Sequence, residues 1–150
     1  MSALATTLQA FFSDRLICQR QASPNTLQSY RDTLRLLLVF ASERCGKAPG
    51  NLDIDDLDAP LIGVFLDHLE HDRSNGVRTR NARLAAIRSL FRYAALRHPE
   101  HADTIERVLA IPPKRFERRL VTWLTEAEIE AVSAKVVAGV AKATGGTLRA

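Results

Sequence analysis

Cysteine is nearly absent. Cys18 and Cys45 are the only two in 150 residues, which excludes a disulfide framework and leaves no paired spacing for a zinc motif. Both read as core filling in a reducing compartment. Glycine and proline are sparse as well, at seven and six residues, while Leu, Ala and Arg are frequent, a balance that favours an all-α fold. No window approaches the run of about 18 apolar residues that a membrane span requires. The N-terminus Met1-Ser2-Ala3-Leu4-Ala5-Thr6 also lacks the basic start and apolar centre of a signal peptide. A cytoplasmic protein with no membrane partner is expected. At this length the chain makes one ordinary domain and part of a second, and a large multi-domain enzyme does not fit.

Missing too are the residues that would complete a metal site. Asp53-Ile54-Asp55-Asp56-Leu57-Asp58 has the acid density of a calcium loop, but an EF-hand needs glycine at its sixth position and glutamate at its twelfth, where this chain has Asp58 and Val64. His68 with His71, and His98 with His101, have helix-like ligand spacing, yet no further Cys or carboxylate set completes a zinc site. No metal or other cofactor is expected.

What is present is charge in blocks. The formal net charge is +4 and the isoelectric point is near 9.5, only mildly basic, so distribution matters more than the total. Seven acids and no Lys or Arg lie between Asp53 and Asp72, whereas seven arginines and no acid lie between Arg73 and Arg97. Ordinary solvated surfaces intersperse the signs, so one acidic and one basic face is the expected arrangement. A helix that keeps an apolar stripe and also presents uncompensated guanidinium groups suits a polyanion, DNA phosphates above all.

Periodicity supplies the elements. Leu4, Leu8, Phe11, Phe12 and Leu16 predict an amphipathic helix from about Ala3 to Arg20. Ser23-Pro24 is a helix start, serine as cap and proline at the first helical position, and the second helix runs to about Arg44 with Leu27, Tyr30, Leu34, Leu37, Leu38 and Ala41 inward. Asp58 caps a third helix from Ala59 to about His71. Ser74-Asn75-Gly76 is a turn, after which the arginine-rich helix runs from about Val77 to Leu96, with Leu84, Ile87, Leu90, Phe91 and Ala94 on its apolar face and Asn81, Arg88 and Arg92 on a polar stripe. A short fifth helix covers about Ala102 to Leu109. Ala110 to Trp123 is proline-started and basic and reads as an extended linker. Thr125 and Glu128 form a capping box that opens one further element.

Three segments, in this order, resemble the amino-terminal half of a tyrosine recombinase, the phage-integrase family. They are Ser23-Pro24-Asn25-Thr26-Leu27-Gln28-Ser29-Tyr30-Arg31, then Thr79-Arg80-Asn81-Ala82-Arg83-Leu84-Ala85-Ala86-Ile87-Arg88, then the basic linker with Trp123-Leu124-Thr125-Glu126. The similarity covers about Leu8 to Val132. It implies a SAM-like core-binding bundle of four to five helices over 1–109, an interdomain linker over 110–123 and the start of a catalytic domain over 124–150. In that family the bundle forms one jaw of a clamp on double-stranded DNA, with its second and fourth helices against the duplex. By position, Asn25, Thr26 and Arg31 would contact DNA from the second helix. Arg78, Thr79, Arg80, Asn81, Arg83 and Arg88 would do so from the fourth, and Lys114, Arg115, Arg118 and Arg119 from the linker. Thr26, Asn81 and one or two of the arginines are candidates for base readout. On an ideal wheel Arg80 and Arg83 project near the apolar face, which leaves pairing with Asp67 or Glu70 as their alternative. Phe116 and Trp123 either stack on a base or pack the linker.

The resemblance also implies a catalytic domain with two arginines, a lysine, histidines and a tyrosine nucleophile beyond the Leu124-Thr125-Glu126 helix start. This chain holds about 25 residues of that region, and Tyr30 and Tyr93, its two tyrosines, fall at core-type positions. A truncated recombinase that binds DNA without cutting it is therefore expected, with docking on itself or on a full-length recombinase left open. The rival reading is a helical protein-interaction module with a basic docking face.

Overall fold

The computed structural model describes residues 2–115, 127–128 and 130–136, and it is helical without a strand among them. It falls into two compact units, Met1–Arg115 and Phe116–Ala150. In the second unit, residues 127–128 and 130–136 are helical and exposed. Phe116, Arg118, Arg119, Trp123 and the predicted cap Thr125 lie outside the described residues.

In the first unit, helix α1 (Ala3–Ala10) starts where the Ser2 hydroxyl accepts the Ala5 amide at 3.2 Å. It continues without a break into a π-wound stretch, Phe11–Gln19, closed by the Arg20 amide on the Arg15 carbonyl at 2.9 Å. The sequence predicts an ordinary helix here. The wider winding has a packing reason: Phe11 and Leu16 are both fully buried, and residues five apart would diverge by about 140° on an α-helix. Bonds that span five residues bring them back to one side.

Helix α2 (Pro24–Cys45) is capped by the Ser23 hydroxyl on the Thr26 amide and stopped by Gly46, whose φ of 67° is left-handed. Helix α3 (Ala59–His71) is capped by Asp58, helix α4 spans Val77–Arg97, and helix α5 spans Ala102–Leu109. These bounds lie within one residue of the sequence expectation. Short 3-10 turns at Pro49–Asn51 and Ile54–Asp56 join α2 to α3, and another at Pro99–His101 joins α4 to α5.

The main core gathers Leu37 and Ala41 from α2, Phe65, Leu66 and Leu69 from α3, Leu84, Ile87 and Phe91 from α4, and Ile105 and Val108 from α5. Leu52, Ile54 and Leu57 close it from the turns. A second cluster holds Phe11, Leu16, Leu34, Leu90 and Tyr93, with the Phe11 ring stacked on Tyr30 at 6.3 Å and tilted against Tyr93 at 5.7 Å. The cysteines are a correction: Cys18 and Cys45 are free and exposed, because they fall in the last turns of their elements, off the buried faces.

The acidic run is consumed by local structure. Asp53 and Asp56 form a capping box, Asp56 also receives Lys47 at 3.0 Å, and Asp58 caps α3. Asp55 accepts from the Thr104 hydroxyl and pairs with His101 Nδ1, each at 2.9 Å, which fastens the α2–α3 connection to α5. These two hydrogen bonds, Thr104 first, hold the Asp55 carboxyl below the usual carboxylate range. His98 Nε2 meets the Thr7 hydroxyl at 2.7 Å and ties α1 to the end of α4. No helix among the described residues is long and apolar enough to cross a membrane.

Two stability outcomes are expected. Phe11→Ala empties the centre of the second cluster and should cost about 3 to 5 kcal/mol, seen as a lower urea midpoint at unchanged slope. A midpoint that does not move would show that the π-wound stretch does not anchor the bundle. Because the Asp55 pKa is lowered on folding, its contribution is present above the unfolded carboxyl value and is lost as pH falls through the folded one. Denaturant curves of the wild type and Asp55→Asn should therefore differ at neutral pH and converge below about pH 4, and parallel curves down to low pH would contradict this.

Candidate nucleic-acid interface

Helix α4 begins differently from the helices before it. The starts of α1, α2 and α3 are capped by Ser2, Ser23 and Asp58, but the α4 cap position is Gly76, with no side-chain cap bond. The left-handed residue of the preceding turn is Ser74, at φ 54°, rather than the glycine. First-turn amides without a side-chain acceptor, at the positive end of the helix dipole, favour an anion.

The predicted DNA-facing residues of α4 separate into an outer and an inner set. Arg78, Thr79 and Arg92 are exposed, and Arg88 is half-buried. The Arg88 Nε is buried without a hydrogen-bond partner, and neither Arg88 nor Arg92 pairs with a carboxylate among the described residues. Arg78 and Thr79 sit in the uncapped first turn, and Arg78, Arg88 and Arg92 project within about 80° of one another round the helix, so these three arginines give its outer face positive charge.

The inner set is placed otherwise than a DNA contact requires. Arg80 is 9% exposed, with its Nε 3.1 Å from Glu70 Oε1. The approach is within ion-pair range but off the hydrogen-bond line, so the Arg80 Nε and Nη1 both stay buried without an acceptor. A guanidinium in that position is structural. Its alternative reading, pairing with Glu70, is the one the structure holds. Arg83 donates from Nη1 to the Thr33 hydroxyl at 2.9 Å, which joins α4 to the middle of α2. Asn81 is half-buried and hydrogen-bonds the main chain of Lys114 on both sides of its carboxamide, at 2.8 and 2.9 Å.

Lys114 is exposed and donates from Nζ to Glu70 Oε2 at 2.8 Å. That hydrogen bond is the first cause that holds the Glu70 carboxyl below its ordinary range, with the Lys114 and Arg80 charges adding to it against the burial that opposes them. Arg115 is exposed beside it. On α2, Asn25 is exposed, the Thr26 hydroxyl lies 3.0 Å from that of Ser23, and the exposed Arg31 guanidinium stands 6.0 Å from the Phe12 ring centre. The Arg83–Thr33 contact thus brings together the two helices expected to share a surface, while Arg80 and Lys114 converge on Glu70 and Asn81 holds the Lys114 main chain.

Glu70 and Thr33 were not among the predicted site residues. Glu70 is the last acid but one before the arginine run, and that juxtaposition is the signal available in the sequence. Thr33 left none, since a buried threonine on the α2 stripe looks like a packing residue. Among the described residues no group of three or more His, Cys, Asp or Glu is arranged to hold a metal.

Comparison with known proteins agrees with this architecture. Residues 8–98 match the family model of the phage integrase N-terminal SAM-like domain. A Sinorhizobium fredii protein named as an integrase/recombinase, y4rC, is 55% identical over 133 residues, covering 89% of this chain and 40% of that protein. A second from the same organism, y4rD, is 47% identical over 129 residues, covering 86% of this chain and 46% of its own length. The tyrosine recombinase XerC of Rhodospirillum centenum is 37% identical over 76 residues, 51% of this chain and 22% of XerC. The chain spans less than half the length of these relatives, and no solved structure matches it. Through its N-terminal SAM-like domain, the chain belongs to the phage-integrase, or tyrosine recombinase, family.

Proposed function

We propose that the bundle binds double-stranded DNA in site-specific recombination, chiefly through phosphates and with at most modest sequence selectivity. The observation that carries this reading is the outer face of α4, where Arg88 and Arg92 meet no carboxylate among the described residues although the chain has a dense acidic run close by in sequence. Those acids are engaged as caps and internal partners, Asp53, Asp56 and Asp58 at helix starts and Asp55 on Thr104 and His101. Cations left over in this way attract a polyanion and release its counterions. The uncapped start of α4, about 16 to 22 Å along the helix from those two arginines, adds amide donors beside Arg78.

The contact set that this geometry supports is Arg78, Thr79, Arg88 and Arg92 on α4, with Asn25, Thr26 and Arg31 on α2 and Arg115 on the linker. Arg118 and Arg119 extend the basic segment in sequence. Arg80 and Arg83 support the surface from behind. Strand cleavage is assigned to no residue of this chain: Tyr30 is stacked on Phe11, and Tyr93 is 8% exposed with its hydroxyl accepting from Arg97 at 2.7 Å. A cytoplasmic location and a second recombinase copy as partner go with this reading.

The triple variant Arg78→Ala, Arg88→Ala, Arg92→Ala tests it. Each lost phosphate contact should reduce the slope of log affinity against log salt by about 0.9, so duplex binding should weaken most at low salt and its salt dependence should flatten by about two to three units. Wild-type affinity and slope in the triple variant would refute the assignment and turn attention to an acidic protein partner.

A further inference from the structure

The segment after α5 is held at two points with a stiff spacer between them. Ile111 packs against the main core, and its amide returns to the Val108 carbonyl at 3.1 Å. Pro112 and Pro113 follow. Neither carries an amide proton and both have a fixed φ, so this spacer is extended and needs no hydrogen-bond acceptor. Lys114 supplies the first amide after them, and Asn81 engages it. Asn81 Oδ1 accepts from the Lys114 amide at 2.9 Å while Asn81 Nδ2 donates to the Lys114 carbonyl at 2.8 Å. The pair lies 33 positions apart in sequence.

A side-chain amide that satisfies both main-chain groups of one residue reproduces the pairing of a neighbouring strand, and the reciprocal geometry fixes which way the carboxamide points. Glu70 secures the same residue by its other end, Oε2 on Lys114 Nζ at 2.8 Å, while its Oε1 lies against the buried Arg80. The last turn of α3, the first turns of α4 and the start of the linker therefore meet at one node.

We infer that Asn81 and Glu70 are positioning residues: they clasp the linker at Lys114 and set the line along which the chain leaves the bundle. With both ends of its carboxamide engaged, Asn81 reads no base unless the linker is released. The clasp itself is independent of any ligand. Its use, to present Arg115 beside the cationic start of α4, rests on the DNA-binding reading above.

Residue-resolved amide hydrogen exchange on the full chain without DNA tests the clasp. The Lys114 amide should be slowed about tenfold relative to an unstructured chain, the scale of one hydrogen bond. Asn81→Ala should abolish that slowing and speed trypsin cleavage after Lys114 and Arg115, while the amides of Leu84 and Ile87 in the core keep their protection. Asn81→Asp retains the acceptor and should keep the Lys114 amide slowed. A Lys114 amide that exchanges at the free-chain rate in the wild type, or one whose rate Asn81→Ala leaves unchanged, overturns the proposal. Duplex titrations run alongside separate the two readings. Loss of DNA binding in Asn81→Ala with the Lys114 amide still protected would make Asn81 a direct contact and overturn the clasp. A wild type that does not bind duplex, with Lys114 protected in the Asn81-dependent way, would remove the DNA-binding reading and leave the clasp standing.

Discussion

The approach of the Arg80 guanidinium to the Glu70 carboxylate joins the two oppositely charged halves of the chain inside the bundle. Both side chains are largely shielded from water, at 11% and 12% exposure. Removing one member of such a pair leaves a poorly solvated charge, which costs more than the pair contributes over an apolar substitute. Its value here is specificity of arrangement: it sets the end of α3 against the start of α4, and through the second Glu70 oxygen it reaches Lys114.

Two hydrophobic clusters support that arrangement and divide the labour. The larger packs α2 through α5 with the intervening turns and takes Leu4 from α1, and the smaller attaches the π-wound continuation of α1 through rings around Phe11. Leu34 and Leu90 belong to the smaller cluster while their helix neighbours Leu37 and Ile87 belong to the larger. Helices α2 and α4 are thus shared by both, and the Arg83–Thr33 hydrogen bond joins them as well. A surface made from these two helices inherits the rigidity of the whole unit.

Much of the architecture was readable from the residues. Ser23-Pro24, Asp58 and the apolar spacings announce α2, α3 and α4 because caps and stripes are local chemistry, written within a few residues of each other. The π winding was hidden, since Phe11, Phe12 and Leu16 fit a three- and four-residue pattern and only tertiary packing selects the five-residue pair. The site was half visible. That seven arginines lie without acids between Arg73 and Arg97 is a property of the sequence, but which of them turn inward depends on where α3 ends. Asn81 looked like a reader of bases because its partner is 33 residues distant, a pairing that no local pattern encodes. Cys18 and Cys45 went the other way, small apolar residues by type that end up on the surface by position.

The π-wound stretch has a consequence for how the first helix tolerates changes in length. A chain one residue shorter between Phe11 and Leu16 would place those side chains four apart, the interval at which an α-helix returns to the same face. The present winding therefore absorbs one surplus residue without shifting which groups point at the core, so insertion and deletion at this point become alternative ways to present one buried edge.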